Sequence, residues 1–174
     1  MRAPILMLFP AFCLVTSGCS SGPKQTHAGT QVLKVAPADL RTYPAIGFKA
    51  TSSTNSADAE LRQISTQVVA GLERGGEFKT IVNMTESPDK AAPLLLHFEI
   101  TELRRVSSSD RFWTGAMAGP ARISGKLVLK DSIADKILGE AVVTAYTDSN
   151  GVGSGTTEDA IARIAVEIIK YMTD

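Results

Sequence analysis

Cysteine is scarce in this chain of 174 residues, which contains only Cys13 and Cys19. Both cysteines lie in the N-terminal segment, so the remainder of the sequence can form no disulfide, whatever the redox state of its compartment. The folded part must therefore gain its stability from an ordinary hydrophobic core. Its length, about that of one domain, is sufficient to build one.

An excess of one charge is also absent. The chain has 18 Lys and Arg against 18 Asp and Glu, with no block of like charge. Binding to nucleic acid requires a basic patch that displaces counterions, so the composition argues against a nucleic-acid partner. An anionic membrane surface would likewise exert no general electrostatic attraction on this chain.

Residues typical of catalytic and metal sites are few. His27 lies in a polar segment without a second ligand nearby, and His97 falls on the outer face of a predicted strand. No G-x-S-x-G motif accompanies the serines. Gly151, Gly153 and Gly155 precede a predicted helix, but their spacing differs from G-x-G-x-x-G and favours a mobile turn over a phosphate-binding loop. We therefore expect no enzyme activity, no metal and no cofactor.

A long hydrophobic run is missing too. Residues 3–15 are almost wholly apolar after a positive start at Arg2, which is the order of an export signal. This run falls short of the roughly 20 apolar residues that cross a bilayer. The stretch LVTSGC resembles the lipobox of bacterial lipoproteins, although Thr16 stands where leucine is most common. A plain secretory signal is the alternative.

The lipobox resemblance implies a location. It implies that residues 1–18 are removed as a signal peptide and that Cys19 carries diacylglycerol and an acyl chain such as palmitate. Several acyl chains on one residue give lasting membrane attachment. Ser20, after the cysteine, implies sorting to the outer membrane, with the protein facing the periplasm. Residues 19–31 then form a flexible tether, and residues 32–174 form a single domain.

Hydrophobic periodicity predicts the elements of this domain. Alternating apolar residues predict strands at 43–49, 78–84, 94–106, 122–130 and 137–146, with a bulge near Glu102. Helical spacing of apolar residues predicts one helix that ends at Gly75-Gly76 and another that begins at Thr156 or Thr157. The expected fold is α+β: a two-layer sandwich with a mostly antiparallel sheet of about five strands and two helices on one face, in the order β-α-β-β-β-β-α.

The stretch RFWTGAMAGPAR, residues 111–122, predicts an apolar, flexible loop between two strands. Phe112, Trp113 and Met117 in it are typical of a recognition loop, but the loop can also fold back over the sheet edge. Four arginines surround it, and they suit either an acidic group, such as a lipid phosphate or a partner carboxylate, or solvated strand ends. These arginines are Arg104, Arg105, Arg111 and Arg122.

Residues 43–174 resemble the family known as domain of unknown function 4410, which occurs in bacterial lipoproteins. The resemblance rests on LLLHFEITELRRV, RFWTGAMAGPAR, KLVLKDSIADKILGEAVVTA and the closing glycine-rich turn and helix. It carries no signature of a reaction. We expect a lipid-anchored, non-enzymatic module that binds an envelope protein through the Trp113 loop or a sheet edge. The alternative is a binder of a small lipid or glycan, and the oligomeric state stays open.

Overall fold

The computed structural model describes residues 28–34, 36, 40–54, 57–147 and 155–173. They form a six-stranded sheet and three α-helices. The strands are β1 Ala28–Lys34, β2 Ala45–Ser52, β3 Thr80–Asn83, β4 Leu94–Arg104, β5 Arg122–Asp131 and β6 Lys136–Tyr146. The helices are α1 Asp58–Gly75, α2 Ser108–Thr114 and α3 Thr157–Thr173, and short 3₁₀ turns occupy Leu40–Thr42 and Gly115–Ala118.

The sheet is mixed, with the strand order β1-β6-β5-β4-β2-β3. Strands β4, β5 and β6 form an antiparallel meander, and β1 adds to it antiparallel to β6. Strand β2 is parallel to both β3 and β4. Helix α1 packs on β2 and β3, helix α3 packs on β1, β5 and β6, and the two helices pack against each other. This arrangement confirms the α+β class.

The expected count of about five strands and two helices was wrong. The observed order is β-β-α-β-β-α-β-β-α. It differs from the expected order because strand β1 and helix α2 were not predicted. Strand β1 begins at Ala28, within the stretch 19–31 that was expected to be a tether. It lies at a sheet edge and its residues are mostly exposed, so its sequence AGTQVLK lacks the alternation of a buried strand.

The core lies between the sheet and the two long helices. Strand β4 illustrates how the sequence builds it, because Leu94, Leu96, Phe98 and Ile100 alternate along one face and all are fully buried. The pairing of β4 with β5 shifts register between Ile100 and Glu102, which confirms the predicted bulge. The bulge keeps the apolar side chains on the core face while the strand continues beyond it.

Helices α1 and α3 bury apolar stripes that repeat every three or four residues. Ile64 and Val68 in α1 and Ile161 and Ile164 in α3 are almost completely buried. The helices approach closely at Gly71, where any Cβ would lie 2.1 Å from a side-chain carbon of Ile169. The sheet thus offers one face to both helices, as the two-layer prediction required.

Within the described part of the chain, no helix has the length and hydrophobicity needed to cross a bilayer. Cys19, the predicted lipidation site, lies outside the described residues, as do the predicted signal peptide and His27.

Candidate interaction surface

The connection between β4 and β5, predicted to be a loop, begins with the short helix α2. The Ser107 hydroxyl accepts a hydrogen bond from the Asp110 backbone N–H at 3.1 Å, and the Asp110 carboxylate accepts one from the Ser107 backbone N–H at 3.0 Å. This reciprocal capping box satisfies N–H groups that a helix start otherwise leaves unpaired. Hydrogen bonds from the Ser107 side chain and backbone hold the pKa of Asp110 below its ordinary value.

Arg111 holds this segment from inside, because its side chain is only 1% exposed. Its guanidinium donates to the Gly155 carbonyl from Nε at 3.2 Å and from Nη2 at 2.9 Å. It also donates to the Gly115 carbonyl at 3.2 Å and to the Gly119 carbonyl at 2.5 Å. One buried cation therefore ties both ends of the 3₁₀ turn to the residue that precedes α3.

All three carbonyls belong to glycines with positive φ, and Gly115 has φ 54°. Gly119 has φ 71° and Gly155 has φ 85°, which residues with a Cβ rarely adopt. The carbonyl of Gly155 also accepts a hydrogen bond from the Thr147 hydroxyl at 2.9 Å. Gly151 and Gly153, the other glycines of the predicted mobile turn, lie outside the described residues.

The large apolar side chains that follow Arg111 are exposed to solvent. Phe112 is 71% exposed, Trp113 80% and Met117 91%. The Phe112 and Trp113 rings contact each other edge to face, with centroids 5.1 Å apart. We call these three residues the apolar tip. The structure does not fold them back over the sheet, and a cluster of large apolar side chains in solvent is typical of a contact surface.

The other three arginines named from the sequence also have partners within the chain. Arg104 donates to the Ala118 carbonyl at 3.2 Å, and Arg122 pairs with Glu102 at 3.2 Å. Arg105 donates through Nη2 to Glu60 at 3.2 Å. This hydrogen bond lowers the pKa of Glu60, although partial desolvation opposes the shift. All three arginines thus make contacts with other parts of the same chain.

A cleft of about 360 Å³ lies beside α2 and the first turns of α1 and α3. Carboxylates from Glu60, Asp110 and Glu158 line it. Its lining arginine, Arg105, is the one already paired with Glu60. The cleft therefore offers little attraction to the acidic lipid headgroup or carboxylate that the sequence suggested for these arginines.

His97 lies where the sequence placed it, on the sheet face away from the long helices. Its Nε2 is 2.8 Å from the Thr51 hydroxyl. Desolvation lowers the pKa of His97, Lys49 lowers it further, and Glu99 opposes both. No group of three or more His, Cys, Asp or Glu side chains suited to a metal ion occurs among the residues the structure describes.

Sequence reasoning identified the apolar tip but missed what holds it. Arg111 was grouped with the surface arginines, whereas it is the most deeply buried of the four. The local sequence does not separate Arg111 from the other three arginines, because all four lie within residues 104–122, around the same glycines. What the sequence did not show is that Gly155, 44 residues away, supplies a carbonyl that accepts a hydrogen bond from Arg111.

The fold is similar to that of several solved structures. PelC from Paraburkholderia phytofirmans, described as a dodecamer, has a TM-score of 0.54 at 15% identity, and the match covers 82% of this chain and 96% of that one. A single-substitution variant of the same PelC has a TM-score of 0.55 at the same identity and coverage. A Xanthomonas campestris protein of the DUF330 family has a TM-score of 0.51 at 12% identity, covering 80% and 90%. At these identities, the likeness concerns the fold alone.

No curated protein matches the sequence. The model of a protein family does, and it aligns with residues 29–147, from the edge strand β1 to the end of the meander. The match includes α2, Arg111 and the whole apolar tip, and it covers more than half of the chain. The chain therefore belongs to the DUF4410 family, which is described as a domain of unknown function.

Proposed function

We propose that this protein is a lipid-anchored module of the outer membrane that faces the periplasm and acts by binding or assembly, without catalysis. The observation that carries the proposal is the apolar tip. Three large apolar side chains stand in solvent on a segment that a buried arginine fixes to the domain. A rigid apolar surface binds well because little conformational freedom is lost on contact.

Two further observations support the proposal. The LVTSGC stretch has the features of a lipobox, which would attach the domain to a membrane through Cys19. The fold is similar to that of PelC, which is described as a dodecamer, and this similarity makes assembly with further copies or with other envelope proteins a consistent role. A module of this kind needs an anchor and a contact surface, and in this proposal Cys19 would supply the anchor and the apolar tip the contact surface.

The test has two arms. Expressed at full length in a Gram-negative host, the wild-type protein should incorporate labelled palmitate and sediment with the outer membrane, whereas Cys19→Ser should do neither. In the second arm, a photo-crosslinking residue replaces Trp113. The matched control replaces Ile133, which is 82% exposed in the β5–β6 turn.

We expect covalent adducts from position 113 in intact cells and few from position 133. Adducts with a second copy would indicate assembly, and adducts with a different envelope component would indicate binding. Absence of palmitate from the wild-type protein would overturn the anchor. Equal adducts from both positions, or none from position 113, would remove the apolar tip from the proposed function.

A further inference from the structure

The apolar tip and the start of the described domain lie at the same end of the sheet. In β1, Ala28 pairs with Ala145 of β6, and Ala145 pairs with Ile123 of β5. Neighbouring strands are about 4.8 Å apart, so Ala28 lies only about 10 Å from Ile123 across the sheet. Strand β5 begins at Arg122, four residues after the 3₁₀ turn that carries Met117 ends at Ala118.

The opposite end of the sheet is far from both. Strand β5 runs ten residues from Arg122 to Asp131, which places the β5–β6 turn about 30 Å from the apolar tip. Ile133 in that turn is as exposed as Trp113. The two ends of the domain therefore each present a large apolar side chain, but only the end with the apolar tip also receives the chain from the N-terminal segment.

The length of that segment limits how far the domain can stand from its anchor. Residues 20–27 separate Cys19 from Ala28, and an extended chain spans at most about 3.5 Å per residue, or about 30 Å in total. This reach is no longer than the sheet itself. An acylated Cys19 would keep Ala28, and with it the end of the sheet that carries the apolar tip, within about 30 Å of the bilayer surface.

The side chains of the apolar tip suit the boundary between headgroups and acyl chains. Tryptophan is enriched at that boundary because its ring is apolar while its indole N–H can still bond to polar groups. Phe112 and Met117 add apolar surface beside it. The surrounding arginines are engaged by Glu60, Glu102 and backbone carbonyls, so the contact would depend on burial more than on lipid charge.

We infer that the apolar tip inserts into the interfacial region of the same leaflet that holds the acyl chains of Cys19, so that the domain stands tip-down on the membrane. This inference rests on the proposed lipid anchor and names the bilayer as the partner of the contact surface. Two attachments on one rigid body act together, because the anchor raises the effective concentration of lipid at the apolar tip.

The chain supplies its own reporter, because Trp113 is its single tryptophan. The lipidated full-length protein is reconstituted into phosphatidylethanolamine–phosphatidylglycerol vesicles, with or without lipids brominated on their acyl chains. We expect Trp113 emission to shift to shorter wavelength relative to the lipid-free state and to be strongly quenched by the brominated lipid. The matched control combines Trp113→Phe with Ile133→Trp, which moves the reporter to the far end and keeps the apolar tip aromatic.

We expect several-fold stronger quenching of the reporter at position 113 than at position 133. Equal quenching at both positions, or none at position 113, in protein that floats with the vesicles would overturn the inference and leave the anchor intact. Protein that fails to float would instead overturn the proposed function. Cellular adducts from position 113 that contain only protein, together with unquenched Trp113, would assign the apolar tip to a protein partner and also overturn the inference.

Discussion

The helix-covered face of the sheet and the apolar tip have opposite patterns of burial. In the core, apolar side chains such as Phe98 and Ile164 are buried, and polar residues face outward. At the apolar tip, Phe112 and Trp113 are exposed to solvent, whereas the preceding charged residue, Arg111, is buried. The first region is held by apolar burial and the second by a few specific hydrogen bonds, so the two regions should respond differently to substitution.

The largest effect is expected in the core. Phe98 is fully buried in the central part of β4, and its ring lies against Gly125 so closely that a Cβ there would be 2.5 Å from it. Phe98→Ala should lower the free energy of unfolding by about 4 kcal/mol, because it removes apolar burial and leaves a cavity. Denaturant unfolding of the purified domain measures this change. The control is Ile133→Ala, at an exposed position, and a similar loss in both variants would refute the assignment of Phe98 to the core.

Loss of Arg111 comes next. Arg111→Met should cost about 3 kcal/mol, because the partly buried carbonyls of Gly115 and Gly119 would lose this donor and the buried carbonyl of Gly155 would keep only its bond from Thr147. Arg111→Lys should restore only part of this, since an ammonium lacks the planar fork that reaches several carbonyls at once. Unfolding curves give the stability, and limited proteolysis between α2 and β5 reports local opening. Wild-type resistance to protease in Arg111→Met would show that the arginine does not hold the segment.

The same contrast explains how far the sequence could predict the structure. The core elements follow from periodicity, and even the bulge in β4 was predicted, because a slip in alternation after Thr101 is visible in the sequence. Strand β1 was missed because an exposed edge strand has no buried face to impose alternation. Helix α2 was missed because its seven residues are too few to show helical spacing. Its Ser107–Asp110 capping box was the one local sign of a helix start.

The candidate site was predicted in part for a related reason. Apolar residues near glycines suggested a contact surface, and the three apolar residues named are indeed exposed. Composition could not distinguish Arg111 from Arg104, Arg105 and Arg122, because which arginine points inward depends on Gly155, far away in sequence. Long-range polar contacts of this kind leave no periodic signal, so the apolar tip was easier to find than its support.

A smaller effect is expected at the start of α3, which adjoins Gly155. The Asp159 carboxylate accepts hydrogen bonds from the backbone N–H groups of Thr156 at 3.0 Å and Gly155 at 2.9 Å. These hydrogen bonds lower the pKa of Asp159, and the bond from Thr156 contributes most. Partial desolvation opposes the shift. Asp159→Ala should therefore destabilise the domain by about 1 kcal/mol at neutral pH.

The stabilisation by Asp159 should depend on pH. Because the folded state depresses the pKa of Asp159, its contribution is present above the unfolded-state pKa of about 4 and is lost as the pH falls through the lower folded-state value. Wild-type and Asp159→Ala proteins should thus differ at pH 7 and converge in acid. Glu158→Ala, in the same helical turn, is the control. A stability difference for Asp159→Ala that stays constant with pH would contradict the role of its charge.

The smallest effect on stability is expected at the apolar tip. Trp113→Ala should change the free energy of unfolding by no more than about 0.5 kcal/mol, because the ring is 80% exposed and loses mainly its contact with Phe112. Unfolding followed by circular dichroism measures this without a tryptophan signal. The comparison with Phe98→Ala is direct, since both substitutions delete a large aromatic ring. A loss at Trp113 that approaches the loss at Phe98 would mean that the ring packs into the domain, and the apolar tip would then be part of the core.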